Sequence, residues 1–355
     1  MQFRYSIFGE SHGPAIGVVL ADVPPGLALD LDEIAFQLAR RAPGKNALST
    51  ARREADEPEI LSGYFQGHTT GTPLAAVIRN TDTRSHDYAA TRALARPGHA
   101  DYPAHIRYRG FEDYRGGGHF SGRLTAPLVF AGAVARQVLA GRGIVTGAHI
   151  RSVGQAAEPS FAEWDEPLSP ALLRAVAEKD FPTLSDERGA AMQAEILAAR
   201  AACDSVGGVI ECAVLGLAPG LGSPDLGRNV EGILSQHLFA IPGVKAVGFG
   251  EGFGFAGLRG SEANDALHMQ DGTVTSRTNH SGGVNGGITN GLPLLFSAAM
   301  RPTASIAQAQ DTVNLDTWTD AKLTITGRHD PCIVHRAVPV VEAAAALAVC
   351  ELLGI

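Results

Sequence analysis

Three stretches of this 355-residue chain gather the side chains that move protons and hold anions. They are "FGESHG" at residues 8–13, "RPGHADY" at 96–102 with "DYRGGGHFSGR" at 113–123, and "RPTASI" at 301–306 with "GRHDP" at 327–331. Histidine is the side chain whose ordinary pKa lets it take and give a proton near neutrality. Arginine grips phosphate or carboxylate through a planar fork of donors. Glycine lets backbone N–H groups approach a ligand closely. One histidine in such company is commonly structural, but three blocks of the same mixture point to anion binding coupled to proton transfer.

The first block also spells G-x-S-x-G from Gly9 to Gly13. A hydrolase nucleophile elbow with that pattern needs a strand, a strained turn and then a helix. Pro14 and a β-rich segment follow instead, so Ser11 reads as a hydrogen-bonding residue and His12 as the working group. Gly252, Gly254 and Gly257 similarly spell G-x-G-x-x-G, with Asp271 near the spacing of a ribose-binding acid. The segment after them, "LRGSEANDALHMQDG", offers no helix whose N-terminus could hold a pyrophosphate. A P-loop motif is absent from the sequence. Cys203, Cys212, Cys332 and Cys350 have neither metal-site nor disulfide-framework spacing and read as mostly buried thiols.

Lys and Arg number 29 against 37 Asp and Glu, a formal net charge of −8, which speaks against a general nucleic-acid binder. Positive charge is instead gathered in islands, Arg40, Arg41, Lys45, Arg52 and Arg53 in one, Arg107, Arg109, Arg115 and Arg123 in another. Basic islands in an acidic protein suit a small anionic substrate. A hydrophobic share of 45% with 19% charged residues describes a folded globular chain, and 42 glycines imply many tight turns. No run approaches the ~18 apolar residues of a membrane span and the charged start lacks a signal-peptide core. The expected location is the cytoplasm, without membrane partners.

The elements that must carry these blocks follow from pattern. "RYSIF" and "AIGVVLADV" read as strands on either side of the GESHGP turn, and "EILSGYF" and "PLAAVIRN" as another strand pair. "DLDEIAFQLARR" reads as a helix with acids at its start and arginines at its end. From Arg92 to Gly122 the pattern breaks into a polar segment read as a functional loop of about 30 residues. "RLTAPLVFAGAVARQVLAG" is a strongly apolar helix ending at Gly141. Further helices are expected near Ser169 to Lys179, Ser185 to Ala202 and Gly227 to His237, a strand at "GGVIECAVLGL", and a closing helix at "VPVVEAAAALAVCELL". "SGRLTAPLVFAGAVA" and "VHRAVPVVEAAAALA" echo one another, each placing Arg and then Pro before an Ala-rich helix. Without a linker between the halves, residues 1–355 read as one domain.

At this point the blocks resemble the chorismate synthase family. The likeness is carried by "GESHGPAIGVVLADVPPGL", "RPGHADY" with "DYRGGGHFSGRLTA", and "RPTASI" followed by "GRHDPC". "RRAPGKNALSTARRE", "DEPEILSGYFQGHTTGTPLAAVIRNTD" and "NHSGGVNGGITNG" lie between them in the same order. The resemblance runs from Phe8 to the C-terminal helix. It implies an α+β fold, a β-α-β sandwich of antiparallel sheets around helices with an internal pseudo-two-fold repeat, in a homotetramer. The implied activity is a lyase that converts 5-enolpyruvylshikimate 3-phosphate into chorismate by 1,4-elimination of phosphate, using reduced FMN without net redox change. The runner-up is a non-catalytic flavin- or phosphate-binding protein on the same fold.

Carried over residue by residue, His12 matches the histidine that protonates the leaving phosphate, His99 the one beside the flavin, and Asp330 the carboxylate that assists proton removal. The resemblance places Ser11, Arg40, Arg41, Arg107 and Arg328 on the substrate. It places His119, Phe120, Ser121, Gly286, Arg301, Pro302, Thr303, Ala304, Ser305 and again Arg328 on FMN. Four positions depart from the family pattern: Ala42 and Ala47 stand where basic residues are common, and His119 and Phe120 replace Arg and Ser. The two alanines weaken an NADPH site, so reduced flavin is expected from an external reductase or other reductant.

Overall fold

A computed structural model describes residues 3–44, 48–49, 54–81, 91–225, 227–325 and 329–355. The first half contains β1 (Arg4–Gly9), β2 (Ala15–Ala21), α1 (Leu31–Arg41) and β3 (Pro58–Ser62). It continues with a small hairpin, β4 (Tyr64–Phe65) and β5 (His68–Thr69), then β6 (Leu74–Arg79), α2 (Asp101–Tyr108) and α3 (Thr125–Ala140). The second half opens with β7 (Val145–Val153), β8 (Ala156–Ala157), α4 (Pro170–Ala177), α5 (Asp186–Ala201), β9 (Gly208–Leu215), α6 (Val230–Phe239) and β10 (Val244–Phe249). After these come α7 (Gly260–Ala263) and three hairpin or strand groups: β11 (Leu267–Gln270) with β12 (Thr273–Ser276), β13 (Val284–Asn285) with β14 (Ile288–Thr289), and β15 (Leu294–Met300). β16 (Gln310–Asn314), β17 (Thr319–Leu323) and α8 (Val334–Leu352) complete the chain.

The two main sheets are antiparallel and repeat one another. The first runs β1-β2-β6-β3 and the second β7-β9-β15-β10, with β8 added at its edge. The agreement extends to single hydrogen bonds. Thr69 Oγ1 donates to Pro24 O at 2.6 Å and accepts from Leu27 N at 3.0 Å; Thr289 Oγ1 donates to Ala218 O at 2.7 Å and accepts from Leu221 N at 2.9 Å. Gly63 and Gly283, at φ +78 and +81, occupy matching tight spots where a Cβ would meet Pro73 O at 2.7 Å or Pro293 O at 2.5 Å. The internal pseudo-two-fold is therefore a property of whole half-chains, wider than the helical echo in the sequence.

Between the sheets lies a layer of helices. α3 and α8 are apolar nearly all round, the signature of a buried helix, and touch where Gly132 faces Ala343 without room for a Cβ. One buried charge interrupts this layer: Glu342 receives Arg40 at 2.5 and 3.0 Å, Arg136 at 2.7 Å and the N–H of Ala148 at 2.9 Å. On the outer face of the second sheet, α4 and its loops form a smaller apolar cluster with Phe161, Leu173, Val176 and Leu184. Helix starts follow their capping residues, Asp30 for α1, Ser169 for α4, Ser185 for α5 and Asn229 for α6, each accepting a hydrogen bond from the first turn.

Two expectations about elements need correction. The segment from Arg92 to Gly122 is not structureless: it holds α2 and a turn of 3-10 helix at Arg115–Phe120. α2 tolerates Pro103 in its first turn, and it buries only Ala104, so no apolar stripe marked it. The closing helix starts at Val334 and carries Pro339 inside it. Cys212, Cys332 and Cys350 are buried as expected, and burial pushes the Cys332 and Cys350 thiols up to about 12, whereas Cys203 is exposed. Among the described residues no helix is long and apolar enough to cross a membrane.

Candidate active site

A cavity of about 860 Å³ lies where the two halves meet. Its walls come from the 96–103 and 116–125 segments of the first half and the 239–245, 300–305 and 329–340 segments of the second. The first turns of both central helices, at Leu124 and Thr125 and at Ile333, Arg336 and Ala337, also open onto it. Helix N-termini present unpaired N–H groups and a partial positive charge, which favours anions.

The FGESHG block forms the tip of the β1–β2 hairpin, where Ile7 pairs with Val18 and Gly9 with Ile16. A strand follows the turn, so the geometry of a nucleophile elbow is absent. Ser11 is fully buried: its N–H donates to Gly118 O at 3.1 Å and its hydroxyl has no protein partner. His12 is nearly buried beside Gly116, where a Cβ would lie 2.5 Å from His12 Nε2. The next two glycines continue the pattern, because a Cβ on Gly117 would lie 3.0 Å from the His99 ring and one on Gly118 3.0 Å from Glu10 Oε2. All three have positive φ, at +60, +82 and +52. The Gly116–Gly118 backbone thus threads between His12 and His99, and only glycine fits.

His99 lines the cavity, its Nδ1 2.6 Å from Asp101 Oδ1. Asp330 lines the opposite wall and accepts from Arg336 Nη1 at 2.5 Å. His119, Phe120 and Ser121 line it too; His119 Nδ1–H donates to Gly9 O at 3.0 Å, and Ser121 Oγ accepts from Arg123 N at 3.2 Å. Arg301, Pro302, Thr303, Ala304 and Ser305 form a continuous strip of the wall. Arg301 also donates across the halves to Gly98 O, and Thr303 Oγ1 is buried without a protein partner.

Several expected residues stand elsewhere. Arg40 is not at the cavity: its guanidinium is committed to Glu342 within the helix layer. Arg41 does reach the wall, but Asp56 Oδ2 at 2.9 Å, Gly122 O at 2.7 Å and Thr125 Oγ1 at 3.0 Å occupy its donors. Arg107 lies on α2 over the Tyr108 ring, 5.8 Å from its centroid, and is not among the lining residues. Gly286, at φ +60 in the β13–β14 turn, has open space around it and does not line the cavity either. Arg328, Lys45, Ala47, Arg52 and Arg53 fall outside the described residues.

Residues that the sequence reading passed over complete the site. Asp56 is buried between Arg41 and Arg123, and although burial pushes its carboxyl up, the two guanidinium groups win and hold it low. Arg96 grips Asp101, and Arg336 ties Asp330 to Arg41 O at 3.1 Å. His329 lines the cavity with its pKa pushed down, mainly by burial and further by Arg96, so it is a neutral imidazole near pH 7. Glu10 has its pKa raised by burial, an effect that His119 partly offsets. Arg96 and Asp101 were in plain view within "RPGHADY", and Asp56 opens "DEPEILSG", where nothing local pairs it with Arg41 and Arg123.

His99 and Asp330 line an arginine-framed cavity on a doubled α+β sandwich, while His12 lies against the lining residue Gly116 and, like Ser11, is not itself among the lining residues; this is the make-up of an enzyme that acts on anions. The family model described as chorismate synthase matches residues 3–353. The chorismate synthase of Thermococcus kodakarensis is 45% identical over 349 residues, covering 98% of this chain and 94% of that protein. That of Aeropyrum pernix is 45% identical over 354 residues, covering 99% and 91%. A solved crystal structure of a chorismate synthase superposes with a TM-score of 0.77 at 28% identity, covering 99% of this chain and 92% of that one. The chain belongs to the chorismate synthase family.

Proposed function

We propose that the cavity binds 5-enolpyruvylshikimate 3-phosphate together with reduced FMN, and that His12, His99 and Asp330 act on the bound pair. The reaction is the family's: a ring C–O bond to phosphate breaks, a ring hydrogen is lost, and the new double bond makes chorismate. The observation that carries the reading is the Gly116–Gly118 thread, which meets His12 at Gly116, a lining residue of the cavity, and the lining residue His99 at Gly117.

The residues fit a flavin. The cavity, about 860 Å³, has the upper size of a small-molecule site, about 300–1,000 Å³. Thr303 Oγ1, on the cavity wall, is a buried polar atom without a protein partner, as expected of a group that waits for a ligand. The strip Arg301–Ser305, with Ser121 and His119, would hold the flavin; Gly286 and Arg328 stay assigned to it by resemblance alone. When bound there, reduced FMN would supply transient electron density for the loss of phosphate without net redox change.

The chain's own groups do the rest. A phosphate beside His12 favours the protonated imidazole, which then donates to the leaving oxygen. Asp330 is oriented by Arg336 toward the same space. Arg41 and Arg123, clamped by Asp56, set the floor of the site, while the two helix N-termini favour the polyanions. Arg40 is better read as a structural cation than as a substrate clamp. The exposed face of the β11–β12 hairpin, with Leu267, Met269 and Val274 uncovered, fits burial against other copies in a homotetramer. We assign the enzyme to the cytoplasm, working as one unit and fed reduced flavin by an external reductase.

An anaerobic assay with pre-reduced FMN, with and without NADPH, tests this. Chorismate forms with reduced FMN alone, and NADPH with oxidised FMN gives none. Tight flavin binding with no product would favour the binding protein, and product from NADPH alone would overturn the external supply.

A further inference from the structure

His99 is held by more than its own loop. Its Nδ1 lies 2.6 Å from Asp101 Oδ1 and 3.0 Å from Arg96 Nη2. Arg96 in turn grips the same carboxylate by Nη2 to Oδ1 at 2.7 Å and Nε to Oδ2 at 2.7 Å, and its backbone N–H adds a third bond to Oδ2 at 2.9 Å. The backbone closes around them, because His99 N donates to Arg96 O at 3.1 Å. From the other half, Arg301 packs on Gly98, a φ +73 glycine whose Cβ would collide with that guanidinium. Asp101 opens α2, where a carboxylate is favoured by the helix dipole. Burial raises its pKa, but the hydrogen bonds from Arg96 and His99 outweigh this and keep it far below the usual carboxylate range.

Two tautomers compete for Nδ1. A bare Nδ1 could accept from Arg96 Nη2, but its lone pair would then face a carboxylate oxygen at 2.6 Å with no hydrogen between them. An N–H at Nδ1 satisfies Oδ1, and Arg96 Nη2 donates to the same oxygen, so the 3.0 Å contact is two donors meeting on one acceptor. The carboxylate therefore settles the tautomer: Nδ1 carries the hydrogen and Nε2 is left for the cavity. A carboxylate that fixes the ring and tautomer of a working histidine is a recurrent device of proton-transfer sites.

We propose that Asp101, locked by Arg96, is a positioning residue for the reaction: it holds His99 as the Nδ1–H tautomer so that Nε2 exchanges the proton with the ligands in the cavity. This rests on the reading of His99 as a reacting group. Asp101→Asn keeps the shape but loses the charge that dictates the tautomer, and kcat should fall about 10²-fold. Substrate KM and FMN affinity should stay within about threefold, since the lost interaction serves turnover and not binding.

The decisive measurement is a double-mutant cycle. In the His99→Ala background, already about 10²-fold slow, adding Asp101→Asn should cost less than about threefold more. Nitrogen-15 NMR of the folded Asp101→Asn protein should show the His99 ring shifting from one protonated nitrogen toward a tautomer mixture, a readout that loss of folding cannot mimic. Full additivity of the two losses, or normal kcat in Asp101→Asn beside an inactive His99→Ala, would overturn the proposal while leaving His99 in place. Near-normal turnover of His99→Ala would overturn the reading of His99 and the proposal with it.

Discussion

Gly116 is where the His12 ring needs space. A Cβ built there would lie 2.5 Å from His12 Nε2 and 3.1 Å from Ser11 Oγ, while non-bonded heavy atoms rest at about 3.5–4.0 Å. Gly116→Ala must therefore push the imidazole away by about 1 Å or turn the 116–118 backbone. Alanine at a φ of +60 also carries a left-handed strain of about 1–2 kcal/mol. The two costs can be separated with Gly143, a φ +74 glycine with nothing within 4 Å of its Cβ position. Gly143→Ala bears the strain without the collision. A misplacement of about 1 Å at a reacting group is worth about 10²-fold in rate. Under anaerobic turnover with reduced FMN, Gly116→Ala should lose about that much kcat while Gly143→Ala keeps its rate. Thermal melts should show both destabilised. If Gly116→Ala turns over within about threefold of the parent and melts like Gly143→Ala, the seating of His12 has no bearing on the reaction, and its assignment as proton donor falls.

Other expectations follow from buried charges. Glu342→Gln leaves Arg40 and Arg136 without their carboxylate, which should cost about 3–5 kcal/mol in urea unfolding; a change under 1 kcal/mol would mean the cluster relaxes into water. Arg40→Met should lower the unfolding midpoint yet leave substrate KM near the parent value in any folded fraction, whereas a raised KM would restore Arg40 to the substrate. His149 sits fully buried with Glu158 Oε1 at 2.6 Å and Glu211 Oε2 at 2.7 Å. Burial pushes its pKa down, but the two carboxylates win and hold it above the ordinary 6.5. That stabilisation is complete below the unfolded value and fades as pH rises through the raised folded one. Urea midpoints should therefore fall on the alkaline side, and His149→Gln should flatten that limb; equal slopes in both proteins would exclude the cluster as its source.

What could be read in the sequence was the chemistry that sits next to its own glycines. His12, His99, Asp330 and the Arg301–Ser305 strip belong to short motifs whose backbone shape is local, so residue type marked the blocks and the family resemblance assigned the residues within them. Arg40 and Arg41 show the limit. Neighbours on a helix point about 100° apart, so in the last turn of α1 one enters the helix layer and the other reaches the cavity wall, and nothing in "ARR" says which. The partners that decide it, Glu342 and Asp56, lie 302 and 15 residues away respectively. α2 was missed for a related reason: an exposed helix that buries one alanine leaves no period to find. The internal repeat was sought in the Ala-rich helices, where likeness is cheap. Its firmer trace was in turns, "PPGL" against "APGL" and the threonines at 69 and 289 that bond to them.

The repeat also accounts for where the site lies. The connection after β6 and the connection after β15 are equivalent in the topology, and each ends at the N-terminus of a central helix, α3 or α8. Because those helices pack side by side, their positive ends and the two connections arrive at one place, where Arg301 of the second bonds Gly98 of the first. A pseudo-two-fold would make the two walls alike, yet they differ: the first carries His99, His119, Ser121 and Gly116, with His12 against that glycine, the second the Arg301–Ser305 strip, Asp330 and Arg336. A reaction with two anionic ligands has use for two unlike walls, and the proposed flavin groups would come from both, Arg301–Ser305 from the second and His119 and Ser121 from the first. Each wall is incomplete without the other, so a cut between α3 and β7 that left both halves folded should still abolish turnover in either half alone. Activity in an isolated first half would show that the second wall is dispensable.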